Sequence, residues 1–160
     1  MIATLWVARS LLEQSSGTRP IVDRYVVQGL PIAVEFKAGT NREGVNKKTG
    51  VKWTRKMYAD YGEIFALGTE GTDGDPVDVY VGPDRDAPNA YVIDQLVVFG
   101  DRKGEFDEQK VMLGCQTADE AKELYLKHMP SAAFFGGMKT IPVRDLVYRL
   151  IDPGHRGERL

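Results

Sequence analysis

Three aspartates, Asp73, Asp75 and Asp78, fall within six residues of the stretch GTEGTDGDPVDVYVGP (68–83). They lie between a glycine-rich turn and a segment that reads as a β-strand. Carboxylates this close repel one another unless something positive sits among them. They either point apart into water as a solvated acidic turn or share a cation, and spacing alone leaves both open. Oxygen-only ligands suit a hard cation such as magnesium, and a substrate's phosphates can complete its shell. An EF-hand loop is excluded, because Pro76 intervenes and no glutamate stands at the required distance. In an extended strand the three side chains could not all face one way. A turn at Gly74 and Pro76 could bring them together, with Asp78 opening the strand and facing away from Val79 and Val81.

Other charged residues stand where strands begin or end. Glu35 alternates with Val34 and Phe36 in AVEF, so it is expected to face opposite to both. A carboxylate turned into a cleft is costly unless it is paired. Arg55 closes VKWTR, Lys110 opens KVMLG, and Asp101 and Asp107 lie in the charged loop before Lys110. Carboxylates with Arg and Lys at strand ends are what a two-metal phosphoryl-hydrolysis site needs. The carboxylates hold ions, the ions lower the pKa of a water, and the cations absorb charge on phosphate oxygens.

Five segments read as the strands that must position these groups: 30–36, 51–55, 76–82, 90–100 and 110–114. KAGTNREGVNKKTG and YGEIFALGTEGTDGD read as loops between them. TADEAKELYLKHM is the clearest helix: Thr117 and Glu120 have capping-box spacing, Ala121, Leu124 and Tyr125 share a face, and Pro130 follows. A second short helix covers 142–150, with Leu146, Val147 and Leu150 inward. Residues 1–18 read as an amphipathic helix and linker, too short and polar to span a membrane. Residues 19–150 form the domain, and 151–160 a loosely ordered tail. Five short strands with two later helices give an α+β expectation: a small β-barrel or curled sheet with helices packed outside.

Composition narrows the function. At 160 residues the chain can bury a real core, and 42% hydrophobic with 28% charged residues is ordinary for a globular protein. The net charge of −2, with Lys and Arg scattered rather than striped, gives no electrostatic case for nucleic acid. One cysteine, Cys115, forbids an internal disulfide and sits in an apolar setting that suits a buried thiol. Two histidines make a histidine-rich zinc site or a Ser-His-Asp triad poor expectations. The default location is cytosolic.

The segments AVEFKAGTNRE, KWTRKM, YADYGEIFALGTEGTDGDPVDVYV and FDEQKVMLG resemble the soluble family I inorganic pyrophosphatases. The resemblance is strongest to the shortened pyrophosphatase-like domain of phage and mobile-element proteins. It covers roughly residues 30–128, with DGDPVDV after YGEI as its most specific part. It implies a closed five-stranded, OB-like barrel with flanking helices. It also implies a magnesium-dependent (or manganese-dependent) hydrolase of pyrophosphate or a related phosphoanhydride, often a homo-oligomer. A phage-encoded protein would act in the host cytoplasm or the virion. Carried over, Asp73, Asp78 and Asp107 would be metal ligands, Asp101 a further one, and Asp75 the base for the nucleophilic water. Glu35, Arg55 and Lys110 would hold water or phosphate oxygens, and Tyr61 and Tyr125 would contact the site through their hydroxyls.

The sequence departs from the family at three places. The last acidic ligand and its lysine stand two residues apart in the family, but Asp107 and Lys110 are three apart, and Glu108 is the alternative match. The lysine expected after Glu35 is replaced by Arg42 or by nothing. The Tyr-Lys pair of the last helix reads Tyr125-Leu126, with Lys127 displaced by one residue, about 100° of rotation. The rival from another class is a non-catalytic virion or interaction module that keeps the fold. A nucleotide diphosphohydrolase ranks lower, because Trp53 and Trp6 read as core residues and nothing announces a base pocket. His128 reads as a helix-dipole partner, and FFGGMKT (134–140) as a lid or a buried turn.

Overall fold

Segments with a side-chain period of two, such as those around Val79 and Val111, send more of the chain into strands than into helices. A computed structural model describes residues 19–65, 71–155 and 157–160. The expected N-terminal helix lies outside the described residues. Nine strands are present among them: β1 Asp23–Val27, β2 Leu30–Phe36, β3 Asn41–Val45, β4 Lys52–Lys56, β5 Asp60–Ile64, β6 Asp78–Val81, β7 Asn89–Leu96, β8 Phe106–Leu113 and β9 Phe135–Pro142. Two α-helices follow the late strands, α1 Ala118–Lys127 and α2 Val143–Ile151.

Seven strands form one sheet in the order β1-β2-β5-β6-β8-β7-β9, and β3 and β4 pair separately as a hairpin. All neighbours are antiparallel except β6 and β8, which run parallel. This corrects the expected five-stranded closed barrel. The protein is mostly sheet with two helices, and no sheet closes on itself among the described residues. The physical reason is that four segments without strong apolar alternation are strands. β5 was expected as loop, β9 as a lid or turn, β3 as part of a Gly/Asn/Lys loop, and β1 had no assignment. β1 and β9 extend the sheet to two separate edges instead of meeting to close it.

Each sheet face carries its own core. Ile32, Val34, Val79, Val92, Val111 and Leu113 pack with Val143, Leu146 and Leu150 of α2 on one side. Tyr61, Tyr80, Tyr91, Ile93 and Met112 pack with Ala121 and Tyr125 of α1 on the other. The cap of α1 is as the spacing predicts. Thr117 Oγ accepts from the Glu120 N–H at 3.1 Å, while Glu120 accepts from the Gln116 N–H at 2.8 Å.

A bulge between Val34 and Phe36 decides which residues face the α1 side. There the register passes from Val34↔Gly62 to Phe36↔Tyr61. Val34 therefore packs under α2 whereas Phe36 joins the tyrosines, which corrects the expectation that the two point the same way. Gly62 is required at this approach, since a Cβ there would stand 1.9 Å from the Ala33 carbonyl oxygen. The tail is also better anchored than expected. Leu160 is buried, its N–H donates to Gln109 at 2.8 Å, and Arg159 pairs with Asp94 at 2.7 Å.

Candidate functional site

The α1 face of the sheet gathers charge along one row. Glu63 of β5 stands opposite Asp78 of β6, and Asp78 stands beside Lys110 of β8 in the parallel pair. Side chains in register share a face, so this row of alternating sign runs across three strands. Glu108 lies two residues before Lys110 on the same strand and therefore on the same face. Lys110 hydrogen-bonds Asp78, and its Nζ lies 2.8 Å from Glu108 Oε1. The lysine side chain is 7% exposed, against 20% for Asp78 and 30% for Glu108. Burial disfavours its charge, but the Tyr61 phenol, Asp78 and Glu108 around it hold the ammonium well above the ordinary lysine range. Burial also raises Glu108, with Lys110 opposing that rise.

The flanking groups come from five elements, β2, β3, β5, β7 and α1. Tyr61 is buried, with Lys110 Nζ 5.7 Å from its ring centre and the Arg42 guanidinium 5.2 Å from it. Burial pushes its phenol up, so it stays a hydrogen-bond donor. Glu35, at the bulge, has a side chain only 9% exposed and lies 3.7 Å from Arg19. Burial raises its carboxyl, Arg19 and Arg42 lower it, and Asp78 raises it further. Tyr125 projects from α1 and donates to Gln95 Oε1 at 2.9 Å. Gln95 in turn donates to Glu108 at 3.2 Å and to Asp107 at 3.4 Å.

Asp73 and Asp75 sit on the turn before β6, and both are exposed. Asp73 accepts from the Asp75 N–H at 3.1 Å, an Asx turn, and the Gly71 N–H donates to the Asp75 carbonyl at 2.7 Å. Asp73, Asp78 and Glu108 nevertheless line one hollow of about 20 Å³, room for a single water-sized occupant. Its oxygen donors are of the kind a hard cation takes. Among the described residues no three carboxylate, imidazole or thiol groups converge closely enough to hold an ion.

The expected residues thus divide. Asp78, Lys110, Tyr61, Glu35 and Tyr125 gather around the row, and Asp73 shares the hollow with Asp78 and Glu108. Asp75 is on the turn at its edge. Asp107 is exposed and accepts from Gln95 at 3.4 Å, and Asp101 is exposed in the β7–β8 loop. Arg55 points away: its Nη1 donates to the His128 carbonyl at 2.7 Å. Lys127 lies outside the row, 3.8 Å from Glu123.

His128 is neither ligand nor charged dipole partner. It is buried, with Nδ1 on the Leu124 carbonyl at 2.8 Å and Nε2 accepting from the Tyr58 N–H at 2.9 Å. Burial lowers its pKa, with Arg55 and Lys127 lowering it further and the Leu124 contact opposing. Trp53 is 37% exposed rather than in the core. Glu63 and Gln95 carried no weight in the sequence. Glu63 was hidden in an expected loop. Gln95 could have been found as the polar member of the Tyr91, Ile93, Gln95 face.

The inorganic pyrophosphatase family model matches residues 18–150. No curated protein and no solved structure matches the chain. The match spans the sheet, the hairpin and both helices up to Leu150, and includes every residue of the charged row. The chain belongs to the inorganic pyrophosphatase family.

Proposed function

We propose that this protein hydrolyses inorganic pyrophosphate to two phosphates on the α1 face of the sheet. The observation that carries this reading is Lys110, an almost wholly buried ammonium held between Asp78 and Glu108. Lys110 and Arg42 supply the positive charge that phosphate oxygens need as the bridging bond breaks. Tyr61, kept protonated by burial, donates to the same oxygens. Asp75, exposed at the edge of the hollow, accepts the proton of the attacking water. Glu35 and Tyr125 fix the positions of the groups around them, Tyr125 through Gln95. Arg55 joins the substrate only by leaving the His128 carbonyl.

Family members use divalent metal ions, and we take magnesium as the ion here, with manganese the alternative. Asp73, Asp78 and Glu108 would hold it, with Asp107 and Asp101 at the rim. The ion would polarise a phosphoryl oxygen and acidify water. The non-catalytic reading draws on one observation: these carboxylates do not converge on a point among the described residues. Phosphate release from pyrophosphate by wild type and Asp75→Asn separates the two. The variant should fold normally and lose turnover by at least about 100-fold, the lower end of general-base contributions. Substantial activity in the variant would remove Asp75 from this role, and none in the wild type would favour the non-catalytic module.

A further inference from the structure

The β3–β4 hairpin carries a row of which pyrophosphate hydrolysis uses the arginines and leaves Trp53 unused. Arg42 pairs in register with Arg55, and Gly44 with Trp53, so these four share one face of the hairpin. That face meets the site. The Arg42 guanidinium lies 5.1 Å from the Phe36 ring centre and 5.2 Å from that of Tyr61. Further out, the Arg55 guanidinium lies 5.2 Å from the Trp53 ring centre. The indole occupies the space a side chain at position 44 would fill, since a Cβ on Gly44 would stand 2.3 Å from Trp53 Cζ2. An open groove of about 600 Å³ is lined by Gly44 and Trp53 together with Glu43, Val45, Lys52 and Thr54, which belong to the other face of the hairpin.

Charge accompanies the aromatic ring. Residues 37–56 hold seven of the chain's 21 cations and one carboxylate, Glu43. In a chain of net charge −2 this segment carries a local excess of positive charge. The order along the face is an exposed indole, two guanidiniums and then the phosphoryl-binding row at Lys110. This matches a molecule with a flat ring at one end and phosphates at the other.

We propose that the hairpin binds a nucleoside polyphosphate, its base stacked on Trp53 and its phosphates passing Arg42 toward Lys110, with Arg55 joining them once it leaves the His128 carbonyl. The cleavage part of this proposal rests on the hydrolase reading above. For a nucleoside diphosphate, water forms a bond to the terminal phosphorus as the bond from that phosphorus to the bridging oxygen breaks. The bridging oxygen keeps the electron pair and leaves with the nucleoside monophosphate, and the water's proton passes to Asp75. A mononucleotide fits better than a single strand, because successive bases need successive stacking platforms. The two strands of the hairpin present one aromatic ring, Trp53.

The test is calorimetric titration of the intact chain, with magnesium, using a methylene-bridged nucleoside diphosphate that cannot be cleaved. Phosphate release from pyrophosphate and from the natural diphosphate is measured in parallel. Trp53→Ala should weaken analogue binding by about tenfold or more, the scale of one base–aromatic stack. Trp53→Phe should stay within about threefold, and pyrophosphate release should be unchanged in both. Analogue binding that is absent, or equal in wild type and Trp53→Ala, overturns the proposal. Tighter binding of a single-stranded oligonucleotide than of the analogue overturns it in favour of nucleic acid. If pyrophosphate is cleaved but nucleotide is not bound, only this inference falls. If the analogue binds through Trp53 and neither substrate releases phosphate, the nucleotide site stands and the hydrolase reading falls.

Discussion

Replacing Lys110 with methionine keeps the length and apolar stem of the side chain and removes its charge. Two carboxylates then face each other without the ammonium that now holds both. Removing one partner of a fully buried ion pair costs about 3–5 kcal/mol. Asp78 and Glu108 keep 20% and 30% of their side chains in solvent, which relieves part of that cost, so we expect about 2–3 kcal/mol. For a chain of this size that lowers the Tm by about 4–12 °C. The deficit depends on pH with a definite sign. Burial already raises the Glu108 carboxyl, and without Lys110 it rises further. A carboxyl with a raised folded-state pKa binds a proton that the unfolded chain has released, so its charge penalises folding most at neutral pH. The penalty fades as pH falls through the raised value. Thermal unfolding in EDTA at about pH 7.5 and about pH 5 should therefore show a larger gap from wild type at the higher pH. A Tm change under about 2 °C, or an equal gap at both values, would refute the buried triad as described.

Two further substitutions test the framework that positions the row. Gly62→Ala places a Cβ against the Ala33 backbone. It should cost more than about 4 kcal/mol, seen as lost soluble yield or a collapsed Tm, and a Tm within about 3 °C of wild type would contradict the packing at the bulge. His128 is buried with its pKa lowered, so the unfolded chain binds a proton that the folded one lacks below about pH 6.5. Stability from this group is present above that value and lost as pH falls toward the folded pKa. The Tm of wild type should drop relative to His128→Gln between about pH 7 and about pH 5.5, and parallel curves would exclude the buried neutral imidazole.

What the sequence made legible follows from how local each signal is. α1 was readable because Thr117, Glu120 and Pro130 mark its ends within a few residues. β2 was readable from its continuous apolar run, and its bounds agree with the structure. β3 and β5 were not, because each mixes polar residues and glycine in a short segment whose strand pairing is supplied from elsewhere. Gly62 and Gly44 read as loop residues, but both stand where another group fills the space of a side chain. The bulge at Glu35 is a pairing event between two strands and has no signature within either. It nevertheless turns Phe36 toward Tyr61 and spoils the simple alternation. The closed barrel failed for the same reason: counting five strands left out the ones that make two open edges.

The site was legible as a set of residue types more than as an arrangement. Asp78 and Lys110 were found from their strand ends, but that they neighbour each other depends on the parallel pairing of β6 with β8. Glu108 stood as an alternative to Asp107 on spacing, and the strand period places it on the face of Lys110. Gln95 links Glu108 to Tyr125 across three elements, a contact that no local pattern encodes.

The most direct test of the account is the rate of phosphate release from pyrophosphate with magnesium, comparing wild type, Glu108→Gln and Asp107→Asn. We expect magnesium-dependent release that Glu108→Gln loses by at least about 100-fold and Asp107→Asn retains within about fivefold. No release by the wild type, or loss in Asp107→Asn with activity kept in Glu108→Gln, would contradict the placement of the reaction at the Asp78–Lys110–Glu108 row.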